Sequence, residues 1–177
     1  MSIACQRERA PKVELMQVPL FDAAKWRAYP ADQDPLASHQ PAEVSCGISG
    51  FYMEYGHLEV DTNFCNYLLA EHPASVAIDA GTAVTITLSH YDLNAAEPAT
   101  AHAAIIFGDT VIWETYIDIP QPANVLTATV RIPEALAMGE QIRMHLHNHG
   151  QNNYTLVGID AALPCADGGC TPDAHDD

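Results

Sequence analysis

Positive charge is almost missing from this sequence: seven Lys+Arg stand against 23 Asp+Glu, a formal net charge of −16. From Ala28 to Val130 there is no Lys or Arg at all, against thirteen acids in the same stretch. That excludes nucleic-acid binding, because neutralising phosphate needs clustered cations. An anionic membrane surface would repel the chain for the same reason. No apolar run approaches the roughly 20 residues of a membrane span, so no transmembrane helix is expected. Enzyme signatures are missing too. Gly47-Ile-Ser-Gly falls short of the G-x-S-x-G elbow of serine hydrolases. P-loop, dinucleotide fingerprint and CxxC zinc spacing are all absent. Helical periodicity is not found, and no repeat of roughly 20 to 50 residues points to a solenoid or propeller.

What is present is a chain of 177 residues, 48% hydrophobic, long enough for one domain with a buried core. After Pro73 the text becomes regular. Ala77–Tyr91, Ala101–Phe107, Thr110–Ile119, Val125–Ile132, Gln141–His149 and Asn153–Ile159 alternate or run apolar with β-branched residues. Gly108-Asp109, Pro120–Pro122, Pro133–Gly139 and Gly150–Asn152 separate them. Six short strands punctuated by Gly, Pro and Asn predict an all-β, antiparallel β-sandwich of the jelly-roll type. The N-terminal third is less regular. Val13–Leu20 reads as a first strand, Phe21–Tyr29 as a helical turn around Trp26, and Pro30, Pro35 and Pro41 as markers of an irregular loop. Phe51–Val60 and Asn63–Leu69 read as extended segments. The expected organisation is a tether over residues 1–12, one domain over 13–162 and an acidic tail over 163–177.

The five cysteines are Cys5, Cys46, Cys65, Cys165 and Cys170. Four cysteines allow three pairings, and spacing does not select among them. Closeness along the chain favours Cys46 with Cys65 and Cys165 with Cys170, which would point to an oxidising compartment. Cys5 is then left over. Ser2-Ile3-Ala4 before it resembles the end of a bacterial lipoprotein signal, which makes Cys5 a lipidation candidate and a lipid anchor the one expected membrane contact.

The C-terminal half, with its “FGDTVIWE” hairpin, “MGEQIRMHLHNHG” strand and “NNYTLVGI” closing strand, resembles the galactose-binding-like jelly roll of carbohydrate-binding modules and discoidin-like domains. The whole chain is similar to bacterial envelope lipoproteins with “HQPxxVxC”, “CNY” and “HLHNHGxN” stretches, here His39–Cys46, Cys65–Tyr67 and His145–Asn152. The resemblance implies a non-catalytic, exported binding module of the cell envelope, with carbohydrate or another cell-surface polymer as partner.

Parity places the candidate site. Along Ile142–His149 the apolar residues Ile142, Met144 and Leu146 claim the core, so Arg143, His145, His147 and His149 share the opposite face. That histidine row is the expected ligand face, with the amides Asn148 and Asn152 beside it. Imidazoles at such spacing also suit zinc or copper, so the alternative is a metal-binding protein or metalloenzyme using the His145/His147/His149 row, with His90, His102, His145 and His147 as the candidate ligands. No other cofactor is expected, and spacing leaves the oligomeric state open. Alternation along Phe51–Val60 puts Glu54 and Glu59 on opposite strand faces, against a paired-carboxylate glycosidase. Tyr52, Tyr55, Tyr91, Trp113, Tyr116 and Tyr154 are further rings available for core or sugar stacking, with Trp113 on an apolar face beside Val111 and Ile117.

Overall fold

Most of the expected strand segments are realised, some with other bounds, in the computed structural model, which describes residues 13–165. Among these residues the strands are β1 (Leu15–Pro19), β2 (Arg27–Ala28), β3 (Phe51–Glu54), β4 (His57–Asp61), β5 (Tyr67–Pro73), β6 (Ala83–His90), β7 (Ala99–Phe107), β8 (Thr110–Ile119), β9 (Asn124–Arg131), β10 (Gln141–His147) and β11 (Asn153–Pro164). Among the described residues helix is confined to three-residue 3-10 turns at Ala23–Lys25, Ala31–Gln33 and Ala37–His39.

The strands form two antiparallel sheets. One runs β3-β4-β11-β6-β9, with β1 also on β11; the other runs β2-β5-β10-β7-β8. The length of β11 explains the branching: Asn153–Leu156 pairs with β4, while Asp160–Pro164 pairs with β1. β11 therefore continues past the expected domain end at residue 162. From β5 to β11 the chain passes repeatedly between the sheets, as a jelly roll does. Alternation supplies the core: Val84, Ile86 and Leu88 of β6 meet Ile142, Met144 and Leu146 of β10 across the sandwich, all at 1% exposure or less. Each such side chain stabilises the fold by about 1.5–3 kcal/mol relative to solvent exposure.

Several expectations are corrected. Residues 51–60 do not make one strand, because Tyr55 and Gly56 take φ of 49° and 83° and close a tight hairpin between β3 and β4. Glu54 then lies opposite His57, and Tyr52 opposite Glu59, so Glu54 and Glu59 share the outer face instead of opposing ones. A bulge shifts the β7–β8 register between Ile105 and Ile106, setting Trp113 opposite Ile105 of the core and Val111 opposite outward Ile106. Trp113 and Val111 therefore do not share a face. Finally, the six-residue run before Ala83 is not strand, and β10 ends at His147, leaving His149 in the following turn.

The N-terminal third wraps the five-stranded sheet. Prolines at 30, 35 and 41 limit this stretch to short 3-10 turns and keep it out of the strand ladders. It is instead pinned point by point: the Tyr29 N–H donates to the Leu69 carbonyl at 2.8 Å, and the Tyr29 ring lies 4.8 Å beneath the Arg143 guanidinium. Cys46 and Cys65 form a disulfide. Cys165 is also disulfide-bonded, but its partner, the expected Cys165–Cys170 bridge and Cys5 lie outside the described residues. So do the tether and all but the first residues of the tail.

Candidate functional site

Strand parity places the β10 histidines as expected, on the outer face of the five-stranded sheet. Register then aligns rings from four strands. His147 lies opposite Tyr67 of β5 on one side and His102 of β7 on the other, and His102 lies opposite Tyr116 of β8. The Tyr116 ring stacks on His102 at 4.3 Å, almost parallel at 4°. His147 lies 5.8 Å from Tyr67 and 4.7 Å from His149, centroid to centroid. Tyr116 is 55% exposed, His147 half-buried and His149 exposed. These three rings form an open ledge over buried His102 and Tyr67. Beyond His149 the ledge leads into a groove of about 490 Å³ lined by His149, Gly150 and residues 95–99.

His145 is placed differently from its neighbours. It has no exposed surface, because the N-terminal wrap covers it. Its Nδ1 donates to Asp34 Oδ2 at 2.7 Å, and the same oxygen accepts from the Tyr67 hydroxyl at 2.8 Å. The other Asp34 oxygen accepts from the Leu36 N–H at 2.8 Å. Burial pushes the Asp34 carboxyl up, but the His145 hydrogen bond and charge, with the Leu36 and Tyr67 hydrogen bonds, outweigh it and hold the group below the usual carboxylate range. Burial, with Asp34 as second cause, pushes the Tyr67 phenol well up, so it stays a neutral donor. His145 is thus a fastening for the wrap rather than a surface ligand group.

The four expected metal ligands do not converge. His90 sits on the inner face of the other sheet, packed on Tyr154, with its Nδ1 donating to the Tyr91 carbonyl at 2.8 Å. His102 Nε2 donates to Glu114 Oε2 at 3.2 Å, and His145 Nδ1 is taken by Asp34. Among the described residues no group of three or more His, Cys, Asp or Glu is placed to hold a metal ion. The expectation of one zinc or copper centre from His90, His102, His145 and His147 is corrected accordingly: β6 belongs to the opposite layer, and side-chain partners already occupy nitrogens on the ledge side.

Asn148 and Asn152 are also placed otherwise than expected. Both are buried and spend their amides on the β10–β11 turn. Asn148 Nδ2 donates to Thr62 Oγ1 and the Gly150 carbonyl, and its Oδ1 accepts from the Tyr154 hydroxyl and from Asn152 Nδ2. Asn152 Oδ1 accepts from the Asn94 N–H, while its Nδ2 also donates to the Asn94 and His149 carbonyls. They hold His149 at the end of the ledge without facing solvent.

Sequence reasoning missed Asp34, Tyr67 and Glu114. Asp34 stands immediately before Pro35 in a loop, where an acid is ordinarily a turn former, so nothing marked it as a buried anchor. A second groove, of about 540 Å³, opens on the other sheet between Ser89, Tyr91, Asn124, Val125 and Thr155, away from the ring ledge.

No family profile matches the chain, and no curated protein does. Solved structures resemble it in fold. The K3 cleaved adhesin domain of Lys-gingipain from Porphyromonas gingivalis W83 is similar over 84% of this chain and 100% of that one, with a TM-score of 0.52 at 12% identity. A CBM4 structure is similar over 80% of this chain and 89% of that one, with a TM-score of 0.46 at 11% identity. The CBM22-1 and GH10 modules of a Clostridium thermocellum xylanase, complexed with xylohexaose, are similar over 92% of this chain and 30% of that one, with a TM-score of 0.42 at 10% identity. At such identities the adhesin-domain match establishes architecture: this chain is an antiparallel β-sandwich of that kind.

Proposed function

We propose that this protein is a non-catalytic carbohydrate-binding module of the bacterial cell envelope, and that its binding face is the ledge of Tyr116, His147 and His149. The observation that carries the reading is the ledge itself. Sugars stack their apolar faces on exposed rings, while nearby donors and acceptors fix hydroxyl orientation. Here the ring row crosses the sheet transversely and opens at one end into the groove beside His149, a shape suited to a chain polymer. Glu114, bonded to His102 beneath the stacked Tyr116 ring, supplies a polar group at the ledge. That the fold neighbour from Porphyromonas gingivalis is described as an adhesin domain agrees with a surface-binding role. The Cys46–Cys65 bridge supports export, since disulfides persist in oxidising compartments. Anchoring through a lipidated Cys5 belongs to the same proposal.

Affinity electrophoresis or calorimetry against a panel of soluble plant and bacterial polysaccharides tests it. Retention by at least one polysaccharide is expected, with Tyr116→Ala and His147→Ala each weakening binding about tenfold, the loss of one stacked ring contact. Absence of binding to the whole panel, or binding indifferent to both substitutions, would overturn the reading. Mass spectrometry of the protein from its host membrane tests the anchor: a diacylglyceryl adduct on Cys5 is expected, and an unmodified Cys5 refutes it.

A further inference from the structure

A sandwich ends in edge strands whose outward N–H and C=O groups invite pairing, and soluble proteins blunt such edges with short strands, proline, bulges or charge. Four edges here are blunted. β2 has two residues and β3 four, β1 ends in Pro19, and β8 carries Glu114, Asp118 and the bulge opposite Ile105–Ile106. β9 is neither short nor bulged, and its single charge, Arg131, is its last residue. It runs eight residues in unbroken register with β6, without proline, glycine or acid. Asp92, which accepts from the Ala123 N–H at 2.7 Å, stands just before the start of the strand, but the strand and its neighbour carry no acid to hold like molecules apart. No Asp or Glu occurs from Ile119 to Pro133, nor in β6, within a chain of formal charge −16. Val125 is 62% exposed, and Leu126 and Val130 are only partly buried against the core.

We propose that β9 pairs antiparallel with β9 of a second copy of this chain, joining two six-stranded sheets into one. Register follows from parity, because directly opposed residues in a ladder share a face. A two-fold axis at Ala128 sets Leu126 against Val130 on the core side, and Thr127 against Thr129 with Val125 against Arg131 on the outer side. The core then continues across the junction. The threonine pair repeats the contact that Thr129 Oγ1 already makes with Thr85 Oγ1 at 3.1 Å within the sheet. Arg131, the single charge on this edge, faces Val125 and stays about 20 Å along the strand from its own copy, so no cations collide. An axis at Thr127 would instead oppose Leu126 to Ala128 and Asn124 to Val130, burying less apolar surface. This association goes beyond the carbohydrate reading and does not depend on it, since Tyr116, His147 and His149 lie on the other sheet.

Sedimentation of the full chain reads the proposal directly. A species of twice the 19.2 kDa chain is expected, and the association should tighten as salt rises, because the net negative charge of each copy repels the other. Thr127→Lys/Thr129→Lys gathers four cations around the axis and should return the mass to 19.2 kDa with the far-ultraviolet dichroism and melting of the parent. If the double variant folds poorly, Thr127→Lys alone is read in its place. Val111→Lys on β8 should leave the dimer intact. Amide exchange along β9 should slow on concentrating the parent and not the variant. A parent that stays monomeric to millimolar concentration in high salt, a dimer that survives the folded lysine variant, or a dimer lost in Val111→Lys would each overturn the proposal.

Discussion

The Asp34 carboxylate accepts a 2.7 Å hydrogen bond from His145 Nδ1, and neither side chain has any surface in contact with water. The two residues stand 111 positions apart, and their contact converts part of an expected ligand row into the clasp of an N-terminal wrap. Because the Tyr67 hydroxyl and the Leu36 N–H share the same carboxylate, the clasp is a four-group network rather than a pair.

Removing the acid from that network should be severe. Asp34→Ala leaves the His145 Nδ1, the Tyr67 hydroxyl and the Leu36 N–H without an acceptor in a dry site, which costs about 3 kcal/mol or more. Urea unfolding should show the loss as a lower midpoint at unchanged slope. Glu114→Ala, whose carboxylate is half exposed beside His102, should cost no more than about 1 kcal/mol.

Acid should weaken the fold in two steps. Burial, only partly offset by hydrogen bonding at Asp22, depresses the His72 imidazole below its ordinary 6.5. The unfolded chain therefore takes up a proton that the fold refuses, and stability falls as pH drops below that value. Asp34, held below 3.8, contributes stability that is full above 3.8 and lost as pH falls through its folded value. Asp160 acts in the opposite sense: burial raises its carboxyl, so its ionisation costs stability as pH rises above 3.8. Melting temperature against pH should lose the upper step in His72→Gln and the lower step in Asp34→Asn. Asp160→Asn should melt higher than the parent at neutral pH.

The β10–β11 turn should be intolerant of small changes. Asn152→Ala removes four hydrogen bonds, to the Asn94 backbone, the His149 carbonyl and the buried Asn148 amide, costing about 2 kcal/mol in chemical unfolding. Gly150→Ala should be worse still. Gly150 has φ of 86°, and a Cβ there would lie 2.0 Å from the Asn94 carbonyl oxygen, so backbone would have to move. A melting temperature unchanged in either variant would contradict the network.

Reduction should cost the domain a measurable share of its stability. The Cys46–Cys65 bridge spans 19 positions, and constraining that loop in the unfolded chain stabilises by about 3 kcal/mol. Because reductant also opens the Cys165 bridge, the denaturant midpoint of Cys46→Ala/Cys65→Ala against that of the parent checks this share.

Alternation by itself determined most of the fold. Val84-Thr-Ile-Thr-Leu-Ser-His90 and Ile142-Arg-Met-His-Leu-His147 declare their core faces because a strand has period two, and both sheets use them as expected. Hairpin and bulge were harder to read. Tyr55-Gly56 is a short interruption in an otherwise strand-like run, and the β7–β8 shift depends on which residues meet across the ladder. The site divides along the same line. Parity placed His145 and His147 on a common outer face, but period two states only which side of a sheet a residue takes, not what lies above it. Covering His145 with Asp34, assigning Asn148 and Asn152 to a turn network, and sending His90 to the far layer were decided by contacts between segments tens of residues apart. Such contacts are made by layer order and by the path of the wrap, which no local spacing encodes.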